Sequence, residues 1–195
     1  MISLVAIILI ITGAIFFSIL YFISVQPASL ALRIGDRAFR LCGVLRMVAM
    51  IFELLAVAGY ILFVFGDMYN YTITVQNVLL IRIIGILFTA ATLVFMFIGA
   101  AVAGKEAALP NKETELYGGL YHYMRHPQTL SEMLSWFGIA MILNSLTLLL
   151  FSIIWIPLFI SFTVIEDNDL AVRFGKQYLD YTEKVGIFWK KSKKK

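Results

Sequence analysis

The sequence predicts an all-α membrane protein, a polytopic helix bundle with about five membrane segments. Hydrophobic residues make up 61% of the 195 residues and charged residues only 14%, whereas soluble proteins contain about half and about a quarter. The mean hydropathy is +0.90. Several uncharged runs are long enough to cross roughly 30 Å of hydrocarbon as helices. We therefore expect residues 1–195 to form a single integral membrane domain.

Residues 1–103 are predicted to form three N-terminal membrane helices. The first is Ile2 to Ile23, the second Val48 to Phe65 and the third Val78 to about Ala103. A cleaved signal peptide is the alternative for the first. The signal-peptide alternative is disfavoured because the segment has no basic residues before its apolar run. The run is also longer than the about 7–15 apolar residues of a signal peptide. The connector before the second helix is basic, with Arg33, Arg37, Arg40 and Arg46, and a polar loop, residues 66–77, precedes the third.

Residues 104–189 are predicted to hold a motif loop, a helical hairpin and a C-terminal helix. The hairpin has arms at 129–143 and 146–165 and turns at Asn144-Ser145, and Pro157 is expected to bend its second arm. Beyond Gly175, residues Tyr178, Tyr181 and Val185 share one helical face. This spacing predicts an amphipathic helix closing the bundle from the cytoplasm.

The basic residues predict the orientation. With the N-terminus outside, fifteen of the sixteen basic residues lie at the cytoplasmic side, Arg82 being the exception. The lysine-rich tail, residues 190–195, is then predicted to face lipid rather than nucleic acid. The single Cys42 and the absence of zinc-type spacing indicate no metal site.

The segment Glu115–Pro127, Glu-Leu-Tyr-Gly-Gly-Leu-Tyr-His-Tyr-Met-Arg-His-Pro, contains both histidines. We expect it to meet the acids Glu166 and Asp167, which follow an apolar helix roughly 40 residues later. His126 either satisfies local backbone groups or helps to bind a ligand at the start of a helix. The acids either end a helix as solvated charges or hold ribose hydroxyls or a cationic amine.

Two further acids lie in predicted membrane segments. Exposing Glu53 to lipid would cost roughly 2.5 kcal/mol or more, so it has either a functional role or a structural hydrogen bond, with Arg82 as one candidate partner. Glu132 is predicted to extend to the interface or to contact a substrate.

At these residues the chain resembles the isoprenylcysteine carboxyl methyltransferase and phospholipid methyltransferase superfamily of integral membrane enzymes. The resemblance covers about residues 113–185. The matching residues are Gly119, Tyr121, Arg125, His126 and Pro127, then Glu166 with Asp167, then Phe174, Gly175, Tyr178 and Tyr181.

The resemblance implies S-adenosylmethionine as the cofactor, bound at the cytoplasmic helix ends, and a lipophilic or lipidated acceptor arriving from the bilayer. The residues expected to line the pocket are Tyr121, Arg125, His126, Pro127, Gln128 and Thr129. Those expected to cover it are Glu113, Thr114, Glu115 and Leu116, and those expected to hold the cofactor are Glu166 and Asp167. The candidate substrate contacts are Glu132, Phe162 and Glu53.

Two positions depart from the family pattern. Phe162 stands where the carboxyl methyltransferases carry an arginine, so a carboxylate acceptor is disfavoured. Thr129 stands where family members commonly have a tyrosine.

Two other functions are alternatives to the methyltransferase. One is an NADPH-dependent reductase of the sterol type, whose cofactor pocket should need more basic residues than Arg125 and Arg173. The other is a non-enzymatic membrane scaffold.

Overall fold

The structure, a computed structural model, describes residues 2–66, 73, 77–110 and 118–189. Within these ranges the chain is helical and contains no strand, which confirms the predicted class. The helices are α1 (Ile2–Ser24), α2 (Pro27–Ile34), α3 (Arg37–Val64), α4 (Val78–Ala103), α5 (Pro127–Ile142), α6 (Leu146–Phe151), α7 (Trp155–Phe174) and α8 (Lys176–Lys184). Short 3₁₀ turns cover Gly104–Ala107, Gly119–His122 and Ser152–Ile154.

In the part of the chain that the structure describes, four helical stretches are long and apolar enough to cross a membrane, and the protein is an integral membrane protein. They are Ile2–Ser24, Arg37–Val64, Val78–Glu106 and Leu146–Phe174. The predicted fifth segment corresponds to α5, whose 16 residues fall short of the roughly 17–25 that a span needs. The count of five, the amphipathic role of α8 and the orientation stay predictions.

The basic connector expected before the second membrane helix is itself helical. Helix α2 starts at Pro27, a residue favoured in the first turn because its missing N–H needs no partner there. Helix α3 starts at Arg37, well before the expected Val48, because its first arginines, Arg37 and Arg40, are exposed and keep their charges out of the apolar core.

Glycines bring the helices of two neighbouring pairs close together. A Cβ on Gly13 of α1 would lie 2.7 Å from the backbone N of Ala56 in α3, and one on Gly85 of α4 would lie 2.7 Å from the backbone N of Ile142 in α5. Small residues at such positions let membrane helices approach closely. The pairs α1–α3 and α4–α5 are therefore closely packed.

The hairpin turns at Asn144, as predicted. Asn144 has φ 52°, and the Ser145 hydroxyl accepts a hydrogen bond from the Leu148 N–H at 3.3 Å. The second arm changes to a 3₁₀ turn over Ser152–Ile154, shortly before Pro157, which cannot donate a helical backbone hydrogen bond.

Aromatic side chains pack the middle of the bundle. The rings of Trp136 and Trp155 stack at 4.2 Å, and the Trp155 indole N–H donates to the Tyr60 hydroxyl at 3.2 Å. These contacts join α3, α5 and α7. Residues near the C-terminal ends of α1, α4 and α7 line a common cavity with residues from the N-terminal parts of α3 and α5, and the candidate site lies at that end of the bundle.

Some predicted features lie outside the described residues. They are the covering segment Glu113, Thr114, Glu115 and Leu116, most of the polar loop 66–77, and the lysine-rich tail 190–195.

Candidate functional site

A cavity opens among the helix ends, and the predicted motif residues line one side of it. We call it the motif cavity. Of the residues proposed from the sequence, those lining it are Tyr121, Arg125, His126, Pro127, Gln128, Thr129 and Glu166. The two separate stretches of sequence therefore meet at one site.

The motif segment reaches the cavity through a tight turn. Gly119 has φ 58°, a conformation that favours glycine, and it starts the 3₁₀ turn that carries Tyr121. The Tyr121 hydroxyl accepts a hydrogen bond from Gln128 Nε2 at 3.3 Å, and the Tyr121 carbonyl accepts one from the Tyr181 hydroxyl at 2.5 Å. Tyr121 is thereby held from both α5 and α8.

His126 is buried between the two acids. Its Nε2 donates to Asp167 Oδ1 at 2.7 Å, and its Nδ1 lies 3.2 Å from Glu166 Oε2. Burial alone would lower the pKa of His126, but the hydrogen bonds to Asp167 and Glu166 outweigh it and raise the pKa to about 9. At neutral pH the imidazolium donates from both nitrogens and orients both carboxylates.

Arg125 is occupied by contacts within the protein. Its Nε and Nη2 form a bidentate pair with Asp167 at 3.2 and 2.6 Å, and its Nη1 donates to the Val185 carbonyl at 2.5 Å. The Arg125 backbone N–H donates to the Gly186 carbonyl at 3.0 Å. This geometry fixes the chain after α8 against the motif segment.

Asp167 connects the site to α8. It also accepts a hydrogen bond from the Tyr178 hydroxyl. Burial and the negative charge of Asp167 raise the pKa of Tyr178, so the phenol stays neutral. Asp167 is not among the described residues that line the cavity, and its side chain is 16% exposed against 27% for Glu166. Of the two acids, Glu166 is the one placed to touch a ligand.

One face of α7 continues the cavity wall beyond Glu166. The lining residues Glu166, Asp169, Leu170 and Arg173 recur at spacings of three and four, which places them on a single helical stripe. Asp169 accepts hydrogen bonds from the backbone N–H groups at the start of α2, and Arg173 Nη1 contacts Glu106 Oε1 at 2.6 Å.

Several lining residues were not assigned to the site by the sequence interpretation. Among them are Tyr21 of α1, Arg46 of α3 and Glu106 in the 3₁₀ turn after α4, and also Asp169 and Arg173 of α7. The helical stripe from Glu166 was a readable signal for the α7 residues. Nothing in the sequence indicated that Tyr21 and Arg46 face the same cavity, because periodicity does not show which helices are neighbours.

Three predicted substrate contacts are not among the described cavity residues. Glu53 hydrogen-bonds to Glu132 across α3 and α5, in place of the expected pairing with Arg82. Phe162 is 2% exposed and packs against the rings of Phe17 and Tyr21. All three lie in the packed bundle.

A family model described as phospholipid methyltransferase matches residues 54–177, more than half of the chain. The chain belongs to the phospholipid methyltransferase family. The family match starts within α3 and ends just before Tyr178, so it extends further towards the N-terminus than the motifs alone indicated. No match was found among curated proteins or among solved structures.

Because the chain belongs to this family, the protein is a membrane methyltransferase. The motif cavity of this phospholipid methyltransferase family member offers a carboxylate, hydroxyl groups and aromatic faces. Within the described ranges, no group of three or more His, Cys, Asp or Glu side chains is arranged to hold a metal ion.

Proposed function

We propose that the protein transfers a methyl group from S-adenosylmethionine to a lipophilic acceptor that reaches the motif cavity from the bilayer. The observation that carries this proposal is the cavity itself, which joins the family motif residues to the helix ends of a membrane bundle. The positive-inside count favours the cytoplasmic face for the site, with the N-terminus outside.

The residues of the cavity fit this cofactor. Glu166 is a carboxylate suited to ribose hydroxyls or to an ammonium group, and Gln128 and Thr129 offer further polar contacts. Aromatic side chains, including Tyr21, also line the cavity, and aromatic rings tolerate a nearby positive charge. The predicted cofactor contacts at Arg125, His126 and Asp167 are better explained as positioning groups, because they hold Glu166 and one another.

When bound, S-adenosylmethionine supplies a methyl group already activated by its sulfonium charge. The remaining task of the protein is to bind, to orient and to exclude water. His126 orients Glu166, while Arg125 and Asp167 hold α8 against the motif segment. We propose that residues 113–116 add a cover to this site.

The acceptor is proposed to carry an uncharged nucleophile on a lipid. Phe162, at the position of the carboxylate-binding arginine of the carboxyl methyltransferases, lies in an aromatic cluster with Phe17, Tyr21 and Phe159. An aromatic side chain cannot pair with a carboxylate, so a prenylcysteine carboxyl group is disfavoured. The amine of a phospholipid head group is the first acceptor to test.

The cofactor is tested by calorimetric titration of detergent-purified protein with S-adenosylhomocysteine and with NADPH. We expect saturable binding of S-adenosylhomocysteine that is weakened in Glu166→Gln and retained in Glu183→Gln, a matched change at an exposed glutamate of α8. Transfer of labelled methyl groups into a phospholipid extract then identifies the acceptor. Binding of NADPH alone would replace this proposal with the reductase, and binding of neither with the scaffold.

A further inference from the structure

Arg173 has unused hydrogen-bonding capacity at the motif cavity. Its side chain is 5% exposed and the residue lines the cavity, on the same stripe of α7 as Glu166. Its Nη1 is engaged by Glu106, but its Nε and Nη2 are buried without a hydrogen-bond partner in the described part of the chain. Two buried donors of a cation without an acceptor are unfavourable, which calls for a missing partner.

The two unpartnered atoms define a particular shape. In a guanidinium group, Nε–H and Nη2–H point the same way along one edge of the planar fork. That edge matches two oxygens of a carboxylate or a phosphate, and such bidentate pairs are among the strongest hydrogen bonds in proteins. The partner expected here is therefore an oxyanion rather than a single carbonyl.

The surroundings hold this edge in place. The guanidinium lies 4.8 Å from the ring centre of Phe174 and 5.6 Å from that of Phe39. Glu106 fixes the opposite edge at 2.6 Å. Because packing and the ion pair hold the side chain, little further ordering is needed when a ligand binds.

Arg125, the arginine of the motif segment, cannot play this part. Arg125 directs Nε and Nη2, the corresponding edge, at Asp167 and gives Nη1 to backbone carbonyls. Within the described residues, Arg173 thus has a buried bidentate edge without a hydrogen-bond partner, whereas the same edge of Arg125 is paired.

We propose that Arg173 is an anion-binding residue of the motif cavity and takes a carboxylate or phosphate of a bound ligand on its Nε–Nη2 edge. This inference rests on the proposed function for the identity of the ligand. Arg173 lies seven residues, roughly 10 Å, along α7 from Glu166. The cavity wall therefore carries the Glu166 carboxylate and the Arg173 guanidinium on one stripe of α7, complementary to a ligand that carries both charges. The anion belongs either to the cofactor, as its carboxylate, or to the acceptor, as its phosphate.

The test compares Arg173→Gln with Arg33→Gln, which removes an exposed arginine of α2, by calorimetry on detergent-solubilised protein. A double variant, Arg173→Gln with Glu106→Gln, guards against misfolding because it leaves no unpaired buried carboxylate. The four titrants are S-adenosylhomocysteine, its decarboxylated analogue, a short-chain phosphatidylethanolamine and an alkylamine of equal chain length.

We expect both Arg173 variants to lose about 10- to 100-fold in affinity for one anionic titrant, since charge-assisted hydrogen bonds of this kind are lost. The counterpart that lacks the carboxylate or the phosphate should bind as before. A loss confined to S-adenosylhomocysteine identifies the cofactor carboxylate, and a loss confined to the phospholipid identifies the acceptor phosphate. Arg173→Lys, which keeps the charge but not the two-pronged edge, should recover only part of the affinity.

The outcomes separate the two proposals. If wild-type protein fails to bind S-adenosylhomocysteine, the proposed function fails, while the phospholipid arm still decides the role of Arg173. If the Arg173 variants match Arg33→Gln in every titration, or if wild-type protein binds neither anionic titrant, the anion-binding role is overturned.

Discussion

His126 lies between the two acids of the site, so its protonation affects the contacts with both. Its pKa is raised from 6.5 to about 9, because the hydrogen bonds to Asp167 and Glu166 outweigh the opposing effect of burial. A raised pKa means that the protonated form stabilises the folded state. That stabilisation is complete below about pH 6.5 and is lost as the pH rises through about 9.

We therefore expect the melting temperature of wild-type protein in detergent to fall between pH 6.5 and pH 10 by more than that of His126→Gln. The difference corresponds to about 3 kcal/mol, from the size of the pKa shift. Burial raises the pKa of Tyr181 to about 12, so its phenol does not ionise in this range. His122→Gln, a change at the exposed histidine, is the control. If the melting temperatures of wild-type protein and His126→Gln fell in parallel with pH, the raised pKa of His126 would be refuted.

Among the helices, α8 depends on one backbone conformation. Gly175 has φ 56° and ψ −133°, and it separates α7 from α8 so that Tyr178 can turn back to Asp167. A Cβ at this position would meet no atom within 4 Å, so an alanine would change only the backbone energy.

We expect Gly175→Ala to cost about 1–3 kcal/mol, the usual range for a residue forced into a sparsely populated backbone region. Thermal unfolding in detergent measures the effect. Gly118→Ala is the matched control, because Gly118 has φ −98° and its nearest neighbour to an added Cβ lies at an ordinary 3.6 Å. Equal stability of the two variants would show that the conformation is not strained for alanine.

The packing of α1 on α3 requires the two helix backbones to lie close together at Gly13. A Cβ on Gly13 would lie 2.7 Å from both the N of Ala56 and the O of Phe52, and these backbone atoms cannot move without moving α3. We expect Gly13→Ala to destabilise the protein by about 1–3 kcal/mol through overpacking.

The comparison is Gly43→Ala within α3, where the added Cβ would meet the flexible end of Leu109 at 3.1 Å. Both variants are measured by thermal unfolding in the same detergent. If Gly43→Ala proves the more damaging of the two, the close packing of α1 on α3 is not the limiting contact.

For the whole molecule, a ligand in the motif cavity should stabilise a folded state that joins seven helices. The cavity takes residues from α1, α2, α3, α4, α5, α7 and α8. We expect S-adenosylhomocysteine at 100 times its dissociation constant to add about 2.7 kcal/mol of stability. This corresponds to a rise of roughly 5–10 °C in melting temperature for a chain of this size.

Adenosine at the same concentration serves as the control for the nucleoside part alone. A rise in melting temperature that is the same in wild-type protein and in Glu166→Gln would place the ligand outside the motif cavity.

Much of the architecture was accessible from the sequence because it rests on local signals. The span Val78–Ala103 and the turn at Asn144 follow from apolar length and from a polar break. The predicted start of the second membrane helix, Val48, is later than the observed start of α3 at Arg37. The reason is that charged residues at a helix end lower the local hydropathy without ending the helix. The sequence also did not predict the part of the cavity wall that comes from the N-terminal helices. The contribution of Tyr21 and Arg46 depends on which helices pack together, and no spacing within one helix records that.

The hydrogen bonds from Ala28 and Ser29 to Asp169, at 3.1 and 2.6 Å, join positions 141 and 140 residues apart. At about 5–20 residues per second, a ribosome needs roughly 7–28 s to add that length of chain. During synthesis, the first turn of α2 therefore waits without its final acceptor while three more membrane segments are made. The wall of the cavity is completed late, so a nascent chain stopped before Asp169 carries most of the apolar mass of the protein but no finished site.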